Sequence, residues 1–292
     1  MELKPTTLLD GLIWPESPRW HDRRLWFSDI QGHRVVAMSP DGKAETIARF
    51  DDEPSGLGFL PDGTALVVLR RKRVVVRLVG GREVIHANLS SYSGSAVGYG
   101  EEPHDYMLND MIVDSKGRAY VDKFIRRLPG DETRDLDESL LFVDESGSHR
   151  IAADGVHGPN GMAITEDGRT LILAETAPRV LTAFDIEADG SLSNRRLFAD
   201  LSGYRPDGIC LDDSGGVWVG SPSRKMAFRV VEGGEITHRV TTSDRGPLAC
   251  CFGGPDRATL FLATSLFDPA RRSEASGFID AYDVGFHGAG LP

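Results

Sequence analysis

Six times along this chain an apolar run ends in a polar turn, most often carrying Asp and Gly, and a second apolar run follows. The copies begin at Glu16 (ESPRWHDRRLWFSDI), Ser55 (SGLGFLPDGTALVVL), Asn109 (NDMIVDSKGRAYV), Asn160 (NGMAITEDGRTLILAE), Asp207 (DGICLDDSGGVWVGSP) and Leu248 (LACCFGGPDRATLFLAT). Their starts are 39 to 54 residues apart. That spacing overlaps the period of propeller blades with loop insertions, and a period of this size controls the whole fold. Helical alternatives fare badly, because no window of a dozen residues keeps helical apolar spacing without a Gly or Pro interruption.

Within each copy the turn residues dictate strands. Pro61-Asp62-Gly63, Glu166-Asp167-Gly168 and Asp213-Ser214-Gly215-Gly216 are hairpin turns, where glycine supplies backbone conformations that other residues avoid. A third strand is expected at 34–38, 74–78, 140–143, 180–185, 227–231 and 278–284, and short edge strands at 83–87 and 149–153. The chain has 33 glycines, where a background of ~7% gives roughly 20, and this turn architecture accounts for the excess. The reading is all-β: a six-bladed β-propeller with four antiparallel strands per blade. The last copy has only three strands before the chain ends, so the N-terminal strand 6–9 is expected to close that blade and remove a free edge. A length of 292 residues would permit two domains, but the repeat argues for one domain over 1–292.

Charge and cysteine usage narrow the partners. Lys plus Arg is 33 and Asp plus Glu is 44, a formal net charge of −11, which disfavours nucleic acid and anionic membranes as partners. No apolar run reaches the ~18 residues of a membrane span, and the first residues lack the pattern of a secretory leader. Cys210, Cys250 and Cys251 make a poor disulfide framework and match no zinc spacing, which together point to a cytoplasmic protein. Serine-hydrolase, zincin, P-loop and dinucleotide-binding motifs are missing in their usual form. Trp14, Trp20, Trp26 and Trp218 read as core or blade-packing residues.

The residues that open the copies carry the chemistry. Proline precedes the opening residue in five of six copies, and Gly56, Gly161 and Gly208 follow it in three. Equivalent register in a closed ring places all six openings at one end of the central channel. Four of them, Glu16, Asn109, Asn160 and Asp207, bring two carboxylates and two amides toward one point, with no sulfur or imidazole. Singly, such residues often just shape turns. As a set at one register they read as an all-oxygen site for one divalent cation. Ca²⁺ is the first choice; Mg²⁺, Mn²⁺, Zn²⁺ or Fe²⁺ can also occupy oxygen-rich sites.

Four segments, WPESPRW (14–20), LNDMIVDSKGRAYV (108–121), GPNGMAITEDGRTLILAET (158–176) and RPDGICLDDSGGVWVGSP (205–222), resemble the senescence marker protein, gluconolactonase and luciferin-regenerating enzyme family of six-bladed propellers. The resemblance runs over essentially the whole chain. It implies one functional divalent cation at the channel mouth, with Glu16, Asn160 and Asp207 on the family's metal ligands. Asn109 falls on the amide that completes the site or touches substrate. It also implies a hydrolase that opens a lactone, with Asp207 expected to activate the attacking water and a small lactone or ester as substrate.

One departure concerns specificity. Many sugar-lactone members of the family carry arginine two residues before the Asn109 position, where this chain has Met107. With Tyr106, Met111, Phe124 and Phe267 nearby, the expectation is a pocket suited to a less polar lactone or ester. Met107, Phe124 and Lys123 are the further candidates for contact with substrate. Lys123 also reads as an ordinary solvated strand residue, and His104–Asp105, in the inserted loop 90–106, as an outside candidate for a catalytic pair. Phosphotriester hydrolysis or a condensation on the same scaffold, and a binding propeller without chemistry, are the alternative functions.

Overall fold

The computed structural model describes residues 4–92, 106–125, 136–266 and 275–292; His104, Asp105 and Phe267 lie outside them. An N-terminal strand β1 (Thr6–Leu12) is followed by the first blade, β2 (Pro15–His21), β3 (Arg24–Asp29), β4 (Arg34–Met38) and β5 (Ala44–Arg49). The second is β6 (Pro54–Phe59), β7 (Ala65–Leu69), β8 (Val74–Val79) and β9 (Arg82–Asn88); the third is β10 (Tyr106–Val113), β11 (Ala119–Ile125), β12 (Ser139–Val143) and β13 (His149–Asp154). The fourth is β14 (Pro159–Ile164), β15 (Thr170–Glu175), β16 (Val180–Ile186) and β17 (Leu192–Asp200). The fifth holds β18 (Ile209–Asp212), β19 (Val217–Ser221), β20 (Met226–Val230) and β21 (Ile236–Thr241), and the sixth β22 (Gly246–Gly253), β23 (Thr259–Ser265) and β24 (Gly277–Asp283). Each forms its own antiparallel sheet, and the six make a six-bladed β-propeller.

The sixth blade is completed by β1, which pairs with β24 through Thr6↔Ala281, Thr7↔Asp280, Leu9↔Ile279 and Leu12↔Gly277. The strand expected at 6–9 is therefore present and extends to Leu12. The C-terminus adds a feature the sequence did not announce. A two-residue strand β25 (Gly288–Ala289) pairs with β18 of the fifth blade, and Leu291 bridges to Ile164 of the fourth. Arg257, in the β22–β23 turn, donates to the carbonyls of Gly290 at 3.2 Å and Pro292 at 3.0 Å, so the tail ties three blades at one end of the channel.

The core follows from strand alternation. Buried apolar clusters fill the gaps between successive blades rather than one central mass, for example Val68, Val75, Met111 and Val121 between blades two and three. Cys250 packs between blades five and six, whereas its neighbour Cys251 packs between six and one, the opposite facing that period-two strands require. All three cysteines are buried and free. Among the described residues no helix is long and apolar enough to cross a membrane.

Candidate functional site

Every innermost strand is irregular at the same place. Register slips between Glu16 and Arg19, Pro54 and Leu57, Leu108 and Met111, Pro159 and Met162, and Pro247 and Ala249. In the fifth blade the ladder starts only at Ile209, and Asp207 is fixed by its N–H donating to the Gly220 carbonyl at 2.9 Å. Bulges of this kind re-aim a side chain out of the alternating pattern. Here they fall on five of the six residues that open the repeats. The glycines that follow have a steric cause: a Cβ on Gly56 would sit 2.6 Å from the Met111 nitrogen, on Gly161 2.6 Å from the Asp207 carbonyl oxygen, and on Gly208 2.6 Å from the Ala249 Cα. Neighbouring inner strands pass too closely around the channel for a side chain.

Blades one and three place polar residues where those glycines stand. Ser17, with φ of +48°, donates its hydroxyl to Asp110 Oδ1 at 2.9 Å. The same carboxylate oxygen accepts Arg19 Nη2 at 3.3 Å, and that guanidinium nitrogen also donates to the Met111 carbonyl at 2.6 Å. All three side chains are buried. Asp122, on β11, accepts the backbone N–H groups of Asn109 at 2.7 Å and Asp110 at 3.0 Å on one oxygen, which pins the bulge that presents Asn109. Its other oxygen is buried without a hydrogen-bond partner among the described residues. Asp110 and Asp122, which support the site, are among the residues that sequence reasoning missed, as are Gln31, Glu53, Arg70 and Arg71 on the cavity wall. The pairing Asn109-Asp110 was visible, but the cross-strand contact to Asp122 was not.

Glu16, Asn109, Asn160 and Asp207 line one cavity of about 500 Å³ at the bulge end of the channel, together with Met107 and Phe124. The other walls are Trp14, Gln31, Glu53, Arg70, Arg71 and Pro159. Burial pushes the Asp207 carboxyl up to about 7, against a hydrogen bond from Asn160 that lowers it, and the Asp110 charge adds to the rise. Burial also raises Glu16 well above the carboxylate range, and the charges of Asp207 and Asp110 raise it further, while the Ser17 N–H and Arg70 pull it down. Two half-buried carboxylates that repel one another beside two amides form a donor set suited to a hard divalent cation. Among the described residues no group of three or more His, Cys, Asp or Glu side chains is arranged to hold a metal ion. A site at this mouth therefore depends on the amides as much as on the acids.

Several expectations need correction. Lys123 does not line the cavity and is not a solvated residue either. It is 2% exposed, its Nζ lies 3.1 Å from an Asp137 oxygen and 5.4 Å from the Tyr106 ring centre. Met107 and Phe124 face each other across β10 and β11, so the residue next to Phe124 on the same strand points the other way. Tyr106 and Met111 belong to the core between blades two and three and not to the pocket. Trp14 lines the cavity rather than a core. A larger cavity, about 580 Å³, lies at the opposite end among the hairpin turns and the C-terminal Gly290 and Leu291. It holds the Asp114–Arg118 ion pair and none of the four opening residues.

Known proteins share the fold and much of the sequence pattern. The chain is 27% identical over 256 residues to 6-deoxy-6-sulfogluconolactonase of Pseudomonas putida, covering 86% of this chain and 82% of that protein. It is 27% identical to pentonolactonase XacC of Haloferax volcanii, with 86% and 81% covered. Among solved structures, the calcium-binding protein regucalcin of Agrobacterium tumefaciens superposes with a TM-score of 0.80 at 17% identity, covering 100% of this chain and 97% of that one. The SMP-30/Gluconolactonase/LRE-like region matches residues 14–266, and on that match, which spans most of the ring, the chain belongs to this family.

Proposed function

We propose that the protein is a divalent-cation-dependent lactonase whose reaction takes place in the cavity at the bulge end of the channel. The observation that carries the reading is the convergence of Glu16, Asn109, Asn160 and Asp207 on that one cavity. The family relationship supports lactone ring opening, and lactonases stand among the relatives that match most of the chain. Glu16, Asn160 and Asp207 would hold the cation, with Asn109 as the fourth donor. Ca²⁺ is favoured by the all-oxygen set.

A cation bound there would supply Lewis acidity toward the lactone carbonyl oxygen. The chain's own groups do the rest. Asp207, held by the Asn160 side chain and by its own N–H to Gly220, takes the proton of the attacking water. The Asn109 amide, on the bulge pinned by Asp122, orients the substrate and keeps its carbonyl turned to the mouth. Glu16 balances the charge of the cation, and its backbone neighbour Ser17 donates an N–H to Glu16 Oε2 at 3.2 Å, which fixes the carboxylate's direction. Trp14, Met107 and Phe124 shield one side of the cavity from water.

A panel of lactones assayed with and without chelator tests this directly. Turnover abolished by chelator and restored by a divalent ion is the expected result. Glu16→Ala and Asp207→Ala should each lower kcat/KM by about a hundredfold or more, with circular dichroism unchanged. Near-wild-type turnover in either variant overturns the assignment. Cation binding without lactone turnover would transfer the site to phosphotriester hydrolysis or condensation.

A further inference from the structure

The four oxygen donors occupy one part of the cavity, and the second blade, which contributes only Ser55 to the ring of openings, supplies something else. Arg70 follows β7 directly, and its backbone N–H donates to the Glu53 carbonyl while its carbonyl accepts the Leu108 N–H. Its side chain is 15% exposed and lies 5.6 Å from the Phe124 ring centre, next to the Met107–Phe124 pair. Nε reaches the Leu108 carbonyl only at 3.4 Å, Nη1 contacts Glu53 Oε2 at 3.2 Å, and Nη2 makes no hydrogen bond among the described residues. Burial lowers the pKa of this guanidinium, while the charges of Glu53, Asp122 and Glu16 draw it back up. An arginine nevertheless stays charged.

Glu53 does not neutralise this charge alone. Its other oxygen accepts Arg71 Nη2 at 2.8 Å, and Arg71 is 69% exposed at the rim. Two guanidiniums share one carboxylate, so this wall of the cavity keeps one positive charge, and Arg70 Nη2 keeps unused donors among the described residues. Gln31, on the same cavity, leaves its Oε1 buried without a hydrogen-bond partner among the described residues, an acceptor available to a hydroxyl. A desolvated, under-bonded guanidinium matches a planar oxyanion better than an apolar substituent.

We propose that Arg70, with Arg71 at the rim, binds an oxyanion group carried by the substrate away from its ring carbonyl, which makes the preferred substrate a polyhydroxy lactone bearing a carboxylate, sulfonate or phosphate. This deepens the lactonase reading and rests on it. The cation missing at position 107 is thus supplied across the gap between blades two and three. The Met107 signal for a less polar substrate is outweighed by a residue some forty positions earlier in the chain.

The matched pair D-glucaro-1,4-lactone and D-glucono-1,4-lactone, which differ by a carboxylate in place of a hydroxymethyl group, tests the proposal on the calcium-loaded protein. Wild type should show the higher kcat/KM on the glucarolactone. Arg70→Gln should raise KM for that substrate by about tenfold or more relative to its effect on gluconolactone, with kcat little changed, and Arg70→Lys should recover part of the loss. Calcium affinity by calorimetry should be unchanged or tighter in Arg70→Gln, since a nearby positive charge is removed. Equal KM changes on both lactones, or a wild-type preference for gluconolactone, overturns the proposal. If wild type opens neither lactone, the lactonase reading fails by itself, and glucarate binding by calorimetry decides: loss in Arg70→Gln supports the oxyanion site, and equal binding overturns it.

Discussion

Asp122 shows how much one side chain can organise without touching a substrate. Both N–H groups of the Asn109–Asp110 bulge donate to a single oxygen of this carboxyl. Burial drives its pKa well above the carboxylate range, Asp110 raises it further, and those two N–H groups hold it down. Asparagine can present the same acceptor, so Asp122→Asn should change stability little, whereas Asp122→Ala leaves two buried N–H groups unpaired and should lose about 1–3 kcal/mol. Urea denaturation with and without calcium checks both, and equal losses in the two variants would contradict this role. None of this was legible beforehand. The dipeptide Asn109-Asp110 stood out in its motif, but Asp122 lies on the next strand, and only register brings the two together. Lys123 was misjudged for the same reason, since a strand's facing depends on its phase, and the sequence around Phe124 does not reveal that phase.

Strands and hairpins were the readily legible level. Period-two apolarity and Asp-Gly turns located the third strands at 34–38, 74–78 and 180–185 within a residue of the observed bounds, because both signals are local. The bulges are non-local, defined by a partner strand. The motif marked them only indirectly, through glycines after the opening residue. Those glycines relieve crowding between blades; Gly56, Gly161 and Gly208 do not adopt positive φ. Gly208→Ala therefore forces a methyl group to within 2.5 Å of the Ala249 Cβ. It should destabilise the protein by about 1–3 kcal/mol and disturb Asp207 beside it. Gly215→Ala, at φ +77° with nothing within 4 Å of its Cβ, should lose about 1–2 kcal/mol from backbone strain alone, with calcium affinity retained. A chemical-denaturation series with calcium titration separates the two causes.

At the scale of the ring, the molecule is held by its two ends. β1 covers the edge of β24, and its Leu12 is 2% exposed in the core between blades six and one. Removal of residues 1–12 should lower stability by more than about 3 kcal/mol and expose an aggregation-prone edge, read by thermal melting and light scattering; an unchanged melting temperature would show that the blade closes without it. The C-terminal tail was not foreseen, because two residues of strand and one bridge leave no periodic trace. The repeated bulge has a consequence for descent as well as for chemistry. Four blades aim their opening residues at the same mouth, and five of the six inner strands make the same backbone detour there, so the positions behave as comparable sockets. Four now hold oxygen donors, and Ser55 and Leu248 fill the others. A single codon change at any socket alters the donor set without rebuilding a loop, so substrate range can drift among descendants while the ring that carries it stays the same.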